Sequence, residues 1–338
     1  MMKLLRLSTQ FLLLALLYST TVLAQANNGK LLEQTPYKIP VASYQEWIDG
    51  LQSRAPADAR DTPFDAQTFR RNNPPELYAR LQKGEGVECF KLKYLSDGLQ
   101  VVGYLIKPKT IKGKLPVVIY NRGGNREFGR MTLGVMLELS GFAEAGFVVL
   151  ASEYRGNGGG EGKEEMGGAD INDVLNLLPL AESLGYADTK NLFVYGLSRG
   201  GMMTYLALKN GLPARAAAVI GGPTDLLAEI QSRPEMEAAV YRELMPDYDK
   251  RKTEHLQARS AMYWAEKLNV PLLIQHGGAD WRVQPSQSLK LATRLQELQK
   301  PYELVIYAED DHPLTRNNSE SQQRIINWFR RYLKQDNK

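Results

Sequence analysis

From Leu115 onward the chain alternates short apolar runs with amphipathic stretches. Pro116-Val117-Val118-Ile119-Tyr120 reads as a buried strand, followed by a glycine loop and a helix through 131–145. Phe147-Val148-Val149-Leu150-Ala151 is the next strand. Ile171, Val174, Leu175 and Leu178 then mark one face of a helix. Further strands are predicted over 191–195, 216–220, 270–275 and 303–307. Leu291, Leu295 and Leu298 stripe one late helix; Ile325, Trp328, Phe329 and Tyr332 stripe the last. Strands alternating with helices predict an α/β fold: a mostly parallel sheet with helices on both faces. Ahead of it, Val87–Leu95 and Leu99–Ile106 flank Ser96-Asp97-Gly98, the signal of an antiparallel hairpin. Residues 44–84 read as short helices broken at Pro56, Pro63, Pro74 and Pro75, and residues 25–40 as a loose segment. Residues 225–268 form a helical insertion longer than a crossover needs. Its Met236, Tyr241, Met245, Tyr248, Met262, Tyr263 and Trp264 suit either packing on the sheet or the wall of an apolar pocket.

The first 24 residues form a separate unit. Lys3 and Arg6 precede an apolar run at 11–17, and Val22-Leu23-Ala24 supplies small residues at a cleavage position. That is the pattern of a secretory signal peptide, with a secreted or periplasmic product and no stable membrane insertion after removal. The apolar core is shorter than the ~20 residues a membrane span needs. Removing Lys3 and Arg6 takes the formal charge from +4 to +2. With no dense basic run, nucleic acid is not an expected partner. Cys89 is the only cysteine, so no intramolecular disulfide forms, and no His/Cys spacing suggests a metal. No cofactor is expected: the 156–160 glycine loop lacks the lysine–serine ending of a phosphate cradle and reads as a tight turn beside the site.

Gly196-Leu197-Ser198-Arg199-Gly200 carries the chemistry. A G-x-S-x-G sequence between an apolar strand and a helix marks a sharp turn that lifts a serine hydroxyl above the sheet edge. A serine needs a base, and the base an orienting acid. His312, in the loop after the last strand, is the preferred base on the chain order Ser…Asp…His; His276 and His255, the latter expected at the surface, are the alternatives. Asp280, following a strand, is the preferred acid, with Glu309, Asp310 and Asp311 as competitors. An oxyanion hole needs two donors. One is expected from the backbone N–H of Arg199, the other from the Asn121-Arg122-Gly123-Gly124 loop, through Arg122 or Gly123.

Together these segments resemble the catalytic domain of the prolyl oligopeptidase family of serine peptidases, which has the α/β-hydrolase fold. The likeness runs from about Val87 to Leu333. It rests on Gly196-Leu197-Ser198-Arg199-Gly200-Gly201, on Tyr154-Arg155-Gly156-Asn157-Gly158-Gly159, and on His276-Gly277-Gly278-Ala279-Asp280-Trp281-Arg282-Val283 with Asp311-His312. Two departures stand out. The family usually carries a β-propeller ahead of this domain, whereas only about 60 residues lie between the expected cut and the first predicted strand. The family often has His or Tyr before Gly-Gly where this chain has Arg122, so a tyrosine oxyanion donor is absent there. The resemblance implies a serine hydrolase cleaving a small peptide substrate through an acyl-enzyme. An esterase acting on a small or carbohydrate ester, and a silent binding protein on the same fold, remain the alternatives. The sequence leaves the oligomeric state open.

Overall fold

The computed structural model describes residues 27–56 and 58–334. The expected signal peptide lies outside the described residues. Nine strands form one sheet: β1 (Leu31–Pro36), β2 (Val87–Ser96), β3 (Leu99–Pro108), β4 (Leu115–Asn121), β5 (Val148–Ser152), β6 (Ala187–Leu197), β7 (Ala216–Ile220), β8 (Leu272–Gly277) and β9 (Tyr302–Tyr307), in the order β1-β2-β3-β5-β4-β6-β7-β8-β9. β5 through β9 with β4 run parallel; β1, β2 and β3 add antiparallel strands at one side. The expected hairpin is β2–β3. Asp97 and Gly98 turn it with φ of 53° and 81°, the two positive values of a type I′ turn.

The parallel strands are apolar on both faces because both are covered. Val117, Ile119, Leu192, Val194, Ala217 and Val219 face one helical layer. That layer holds α5 (Ile171–Leu175), α6 (Leu177–Ser183), α7 (Arg199–Lys209), α8 (Leu226–Ser232), α9 (Tyr248–Arg259) and α10 (Ser286–Glu297). The alternate residues Val118, Tyr120, Phe193, Tyr195 and Ala218 face α4 (Leu133–Glu144) and α11 (Asn318–Arg331).

Three short helices, α1 (Tyr44–Gln52), α2 (Ala66–Asn72) and α3 (Pro75–Gln82), lie outside α4 as a further layer. Ser43 and Asp65 cap the first two through backbone N–H groups, and Pro75 opens the third where no N–H is needed. Trp47, Tyr78, Leu133 and Leu137 form the core that docks them, with Phe69 packed edge-on to Trp47 at 4.7 Å.

Two expectations are corrected. Residues 25–40 are not simply loose: they contain β1, paired with β2. Its side chains are almost all exposed, so ladder hydrogen bonds hold it and no buried face signals it. His255 is not a surface residue: it is buried, with Nε2 2.7 Å from the Pro246 carbonyl and Nδ1 3.1 Å from Arg259.

Trp47→Ala removes the ring that pins the three outer helices, a loss on the order of 3 kcal/mol. Hydrogen exchange should accelerate across residues 44–82 and remain slow in β4, β6 and β7. Slow exchange throughout would show that the layer is held elsewhere.

Candidate active site

Parallel pairing brings the carboxyl ends of β4, β6, β7 and β8 to one edge. Asn121 pairs with Gly196, Leu197 with Ile220, and Ile220 with Gln275. Ser198 follows β6 at φ 58°, ψ −128° and opens α7. Its N–H donates to the Ile220 carbonyl at 2.8 Å. The turn is crowded. A Cβ on Gly196 would strike the Gly200 carbonyl, and one on Gly200 would strike the Asn121 carbonyl. Both positions therefore need glycine on space alone.

His312 and Asp280 meet across this edge. His312 Nδ1 lies 2.6 Å from Asp280 Oδ2, which leaves Nε2 of the same ring free of that bond. A Cβ on Gly221, directly after Ile220, would sit 3.1 Å from His312 Nδ1 and 3.3 Å from Asp280 Oδ2. The pair thus stands beside the corner that holds the Ser198 backbone. Asp280 Oδ1 accepts from the N–H groups of Arg282 (2.8 Å) and Val283 (3.0 Å). Burial alone would raise its carboxyl pKa. Hydrogen bonds from His276 and His312, and the attraction to either ring when it is protonated, overcome burial and hold it well below the ordinary carboxylate range.

The competitors have other partners. His276 is fully buried, with Nδ1 2.6 Å from Ser288 Oγ and Nε2 2.9 Å from the Val283 carbonyl and 3.0 Å from Asp280 Oδ2. It holds the acid's loop. Asp310 accepts from the N–H groups of Asp311, Arg316 and Asn317, and Asp311 from Thr315. Both shape the turn that carries His312. Glu309 pairs with Arg316 at the surface.

The Arg122 guanidinium is buried and engaged. Nε lies 2.7 Å from Glu153 Oε2, and the other nitrogens donate to the carbonyls of Gly123, Arg126, Phe128 and Glu153. As a side-chain donor to substrate it is therefore ruled out, and only main-chain N–H groups of this loop are available. Gly123 comes nearest: a Cβ there would be 3.1 Å from Ser198 Cβ.

Sequence reasoning missed what the side chain of Arg199 does. It is buried, paired with Glu164 and with Asp170 at 2.5 Å, and donates to the Gly124 carbonyl at 3.0 Å. Tyr154 lies under it at 4.6 Å and donates its hydroxyl to the Arg122 carbonyl at 3.0 Å. The elbow and the 121–130 loop are thus clamped to the 153–170 segment. The glycines at 158 and 160 lie instead against Glu153 and β3. Tyr154, Glu164 and Asp170 are the residues of that segment that reach Arg199.

A cavity of ≈ 1300 Å³ opens beside His312. None of residues 225–268 lines this cavity, and of the candidates there Tyr241, Met245, Tyr248 and Trp264 are buried in the main core. Its outer wall comes from the N-terminal helices and the Arg60–Phe64 stretch. Asp61 accepts three bonds from Arg282, at 2.6, 2.7 and 3.1 Å, and Arg60 stacks on Trp281 at 3.8 Å. Among the described residues no group of three His, Cys, Asp or Glu could hold a metal ion, and no helix is long and apolar enough to cross a membrane.

The sheet, the strand–turn–helix serine and the Asp–His pair define an α/β-hydrolase fold of the serine-hydrolase class. Residues 134–336 match the model of the prolyl oligopeptidase family. The uncharacterized peptidase YtmA of Bacillus subtilis is 32% identical over 67% of this chain and 86% of its own length. The chain belongs to the prolyl oligopeptidase family of serine peptidases. Dipeptidyl aminopeptidase BIII of Pseudoxanthomonas mexicana is 26% identical over 65% of this chain but only 34% of its own. The acylaminoacyl peptidase of Pyrococcus horikoshii superposes with a TM-score of 0.66 at 23% identity, covering 77% of this chain and 44% of that one. The chain therefore spans less than half the length of these last two.

Arg199→Met strands two buried carboxylates and should cost about 3–5 kcal/mol in urea denaturation. Adding Glu164→Gln and Asp170→Asn should recover most of that loss. No recovery would show that Arg199 acts by packing alone. A second outcome follows from Asp280. Its folded pKa lies below its unfolded value of ~3.9, so its ionised form stabilises above about pH 4 and that share is lost as pH falls further. Stability of Asp280→Asn should therefore fall less steeply than wild type in urea melts between pH 6 and pH 3.

Proposed function

We propose that the chain is a serine peptidase acting through an acyl-enzyme on Ser198. The observation that carries this reading is the 2.6 Å His312–Asp280 contact beside the Ile220–Gly221 corner that also binds the Ser198 N–H. Asp280 fixes the His312 tautomer with the proton on Nδ1, so Nε2 is the basic nitrogen. Ser198 Oγ attacks the scissile carbonyl carbon while its proton passes to Nε2. The carbonyl electron pair moves onto oxygen, where the N–H groups of Arg199 and of the Gly123 loop stabilise it. Collapse breaks the C–N bond, and His312 returns its proton to the leaving amine. Water then repeats the sequence on the Ser198 ester, with His312 again as base. Substrates are small peptides, and the outer helical layer beside His312 limits what enters. Export is part of the proposal and rests on the sequence of residues 1–24.

Ser198→Ala and His312→Ala should each lower kcat by about 10⁴-fold or more, because the three groups act as a unit. Asp280→Asn should cost roughly 10⁴-fold. His276→Ala, which loosens the acid without removing it, should cost far less than His312→Ala. A panel of peptide and acyl-ester substrates provides the assay. Turnover of esters with no peptide cleavage would replace the peptidase reading by an esterase one, and retained activity in Ser198→Ala would end both.

A further inference from the structure

The cavity beside His312 carries on its α4 wall a half-buried acid, Glu138, with no cation. Its lining includes the His312 loop, Leu197 and Ile220, and continues along the outer face of α4 past Gly134, Glu138 and Gly141. Elsewhere on this wall Arg282 pairs with Asp61, Arg80 with Glu144 and Arg316 with Glu309, while Asp310 and Asp311 are engaged in hydrogen bonds within the His312 turn. Glu138 accepts one hydrogen bond, from the Tyr195 hydroxyl at 2.7 Å, and no ion pair reaches it among the described residues. Burial pushes its carboxyl up to about 7, with the Tyr195 bond opposing the rise. A cation brought to Glu138 would restore the charged form that burial disfavours.

Space is available there. A Cβ added to Gly141 would meet nothing within 4 Å. Tyr195 stands three residues before Ser198 on β6, about 10 Å away at strand spacing. Leaving groups depart toward the base that protonates them. The cavity is lined by the base and its loop, and by neither Ser198 nor Gly123. It therefore extends on the leaving-group side.

The geometry points to a binding site for the leaving segment of a peptide, in which Glu138 pairs with a lysine or arginine side chain one or two residues beyond the scissile bond. This rests on the peptidase reading for its orientation, but the site itself does not need turnover. Glu138 is a specificity-determining residue here and takes no part in bond making.

The test separates binding from cleavage. Ser198→Ala protein is titrated calorimetrically with two peptides that differ only in lysine or norleucine at the second leaving-side residue. The lysine peptide should bind at least 10-fold more tightly. In Ser198→Ala/Glu138→Gln, which retains an acceptor for Tyr195, the two affinities should converge through loss on the lysine side alone. Gly141→Leu, placed in open space, should weaken both peptides. Thermal melts of each variant establish that it is folded. Equal affinities in the Ser198→Ala parent, or equal losses for both peptides in the Glu138→Gln variant, would overturn the proposal. A fluorophosphonate label on wild-type Ser198 is read in parallel. Failure to label would count against the hydrolase reading and leave the binding comparison to decide this site.

Discussion

Ser198 occupies a backbone conformation that a side chain rarely adopts, at φ 58° and ψ −128°. Such a residue costs about 1–3 kcal/mol and persists only where its surroundings over-determine it. Here they do so from three directions. The Ser198 N–H is tied to the end of β7. Gly200 abuts the Asn121 carbonyl at the end of β4. Gly201 packs against Val219 and Gly222, which fixes the start of α7 against the neighbouring strand. The nucleophile candidate is therefore held at the end of β6 by the ends of two neighbouring strands, β4 and β7, at once, and neither can shift alone.

The next constraint is charge. Arg199 with Glu164 and Asp170, Arg122 with Glu153, and Arg155 with Asp173 are all buried. Buried pairs are weak contributors to net stability, because removing both ions from water costs about as much as their attraction returns. Their geometric effect is stronger. Each bridges segments far apart in sequence, and a misregistered loop would leave an unpaired ion inside the protein. Arg155 also reaches Asp97 in the β2–β3 turn at 2.8 Å. The hairpin, the 153–170 segment and the elbow are thereby linked through ion pairs that tolerate only one arrangement.

This separation between local and long-range causes explains what the sequence disclosed. The strand at 216–220 has the predicted bounds, because an apolar run buried on both faces announces itself. The elbow was legible because its glycine spacing answers a local crowding problem. His312 and Asp280 were legible from chain order and strand ends. β1 was not, since its side chains are exposed. The charged neighbours Lys252 and Glu254 made His255 look external, while Pro246 and Arg259 enclose it through tertiary contacts. The aromatic and Met residues of 225–268 were ambiguous for a related reason. Composition suits a core and a pocket equally, and only the docking of those helices on the sheet decides between them. The N-terminal layer shows the same limit: Trp47 and Tyr78 mark buried helical faces, but not that the surface they bury against is α4.

The outer layer and the acid loop form one mechanical unit. Asp280 Oδ1 is positioned by the N–H groups of Arg282 and Val283, within a single turn. The side chains of that turn hold the layer: Arg282 grips Asp61, and Trp281 lies beneath Arg60 at 3.8 Å and beside Arg233 at 5.2 Å. Asp61 and Arg282 are each more than four-fifths buried, so their attraction is less screened than that of a surface pair. Displacing the Arg60–Phe64 stretch would break these side-chain contacts, while the backbone bonds to Asp280 lie within the turn itself. The same stretch lines the cavity. The cavity wall and the Asp280 turn therefore share two adjacent side chains, Trp281 and Arg282, so the same contacts that shape the cavity also brace the acid's loop.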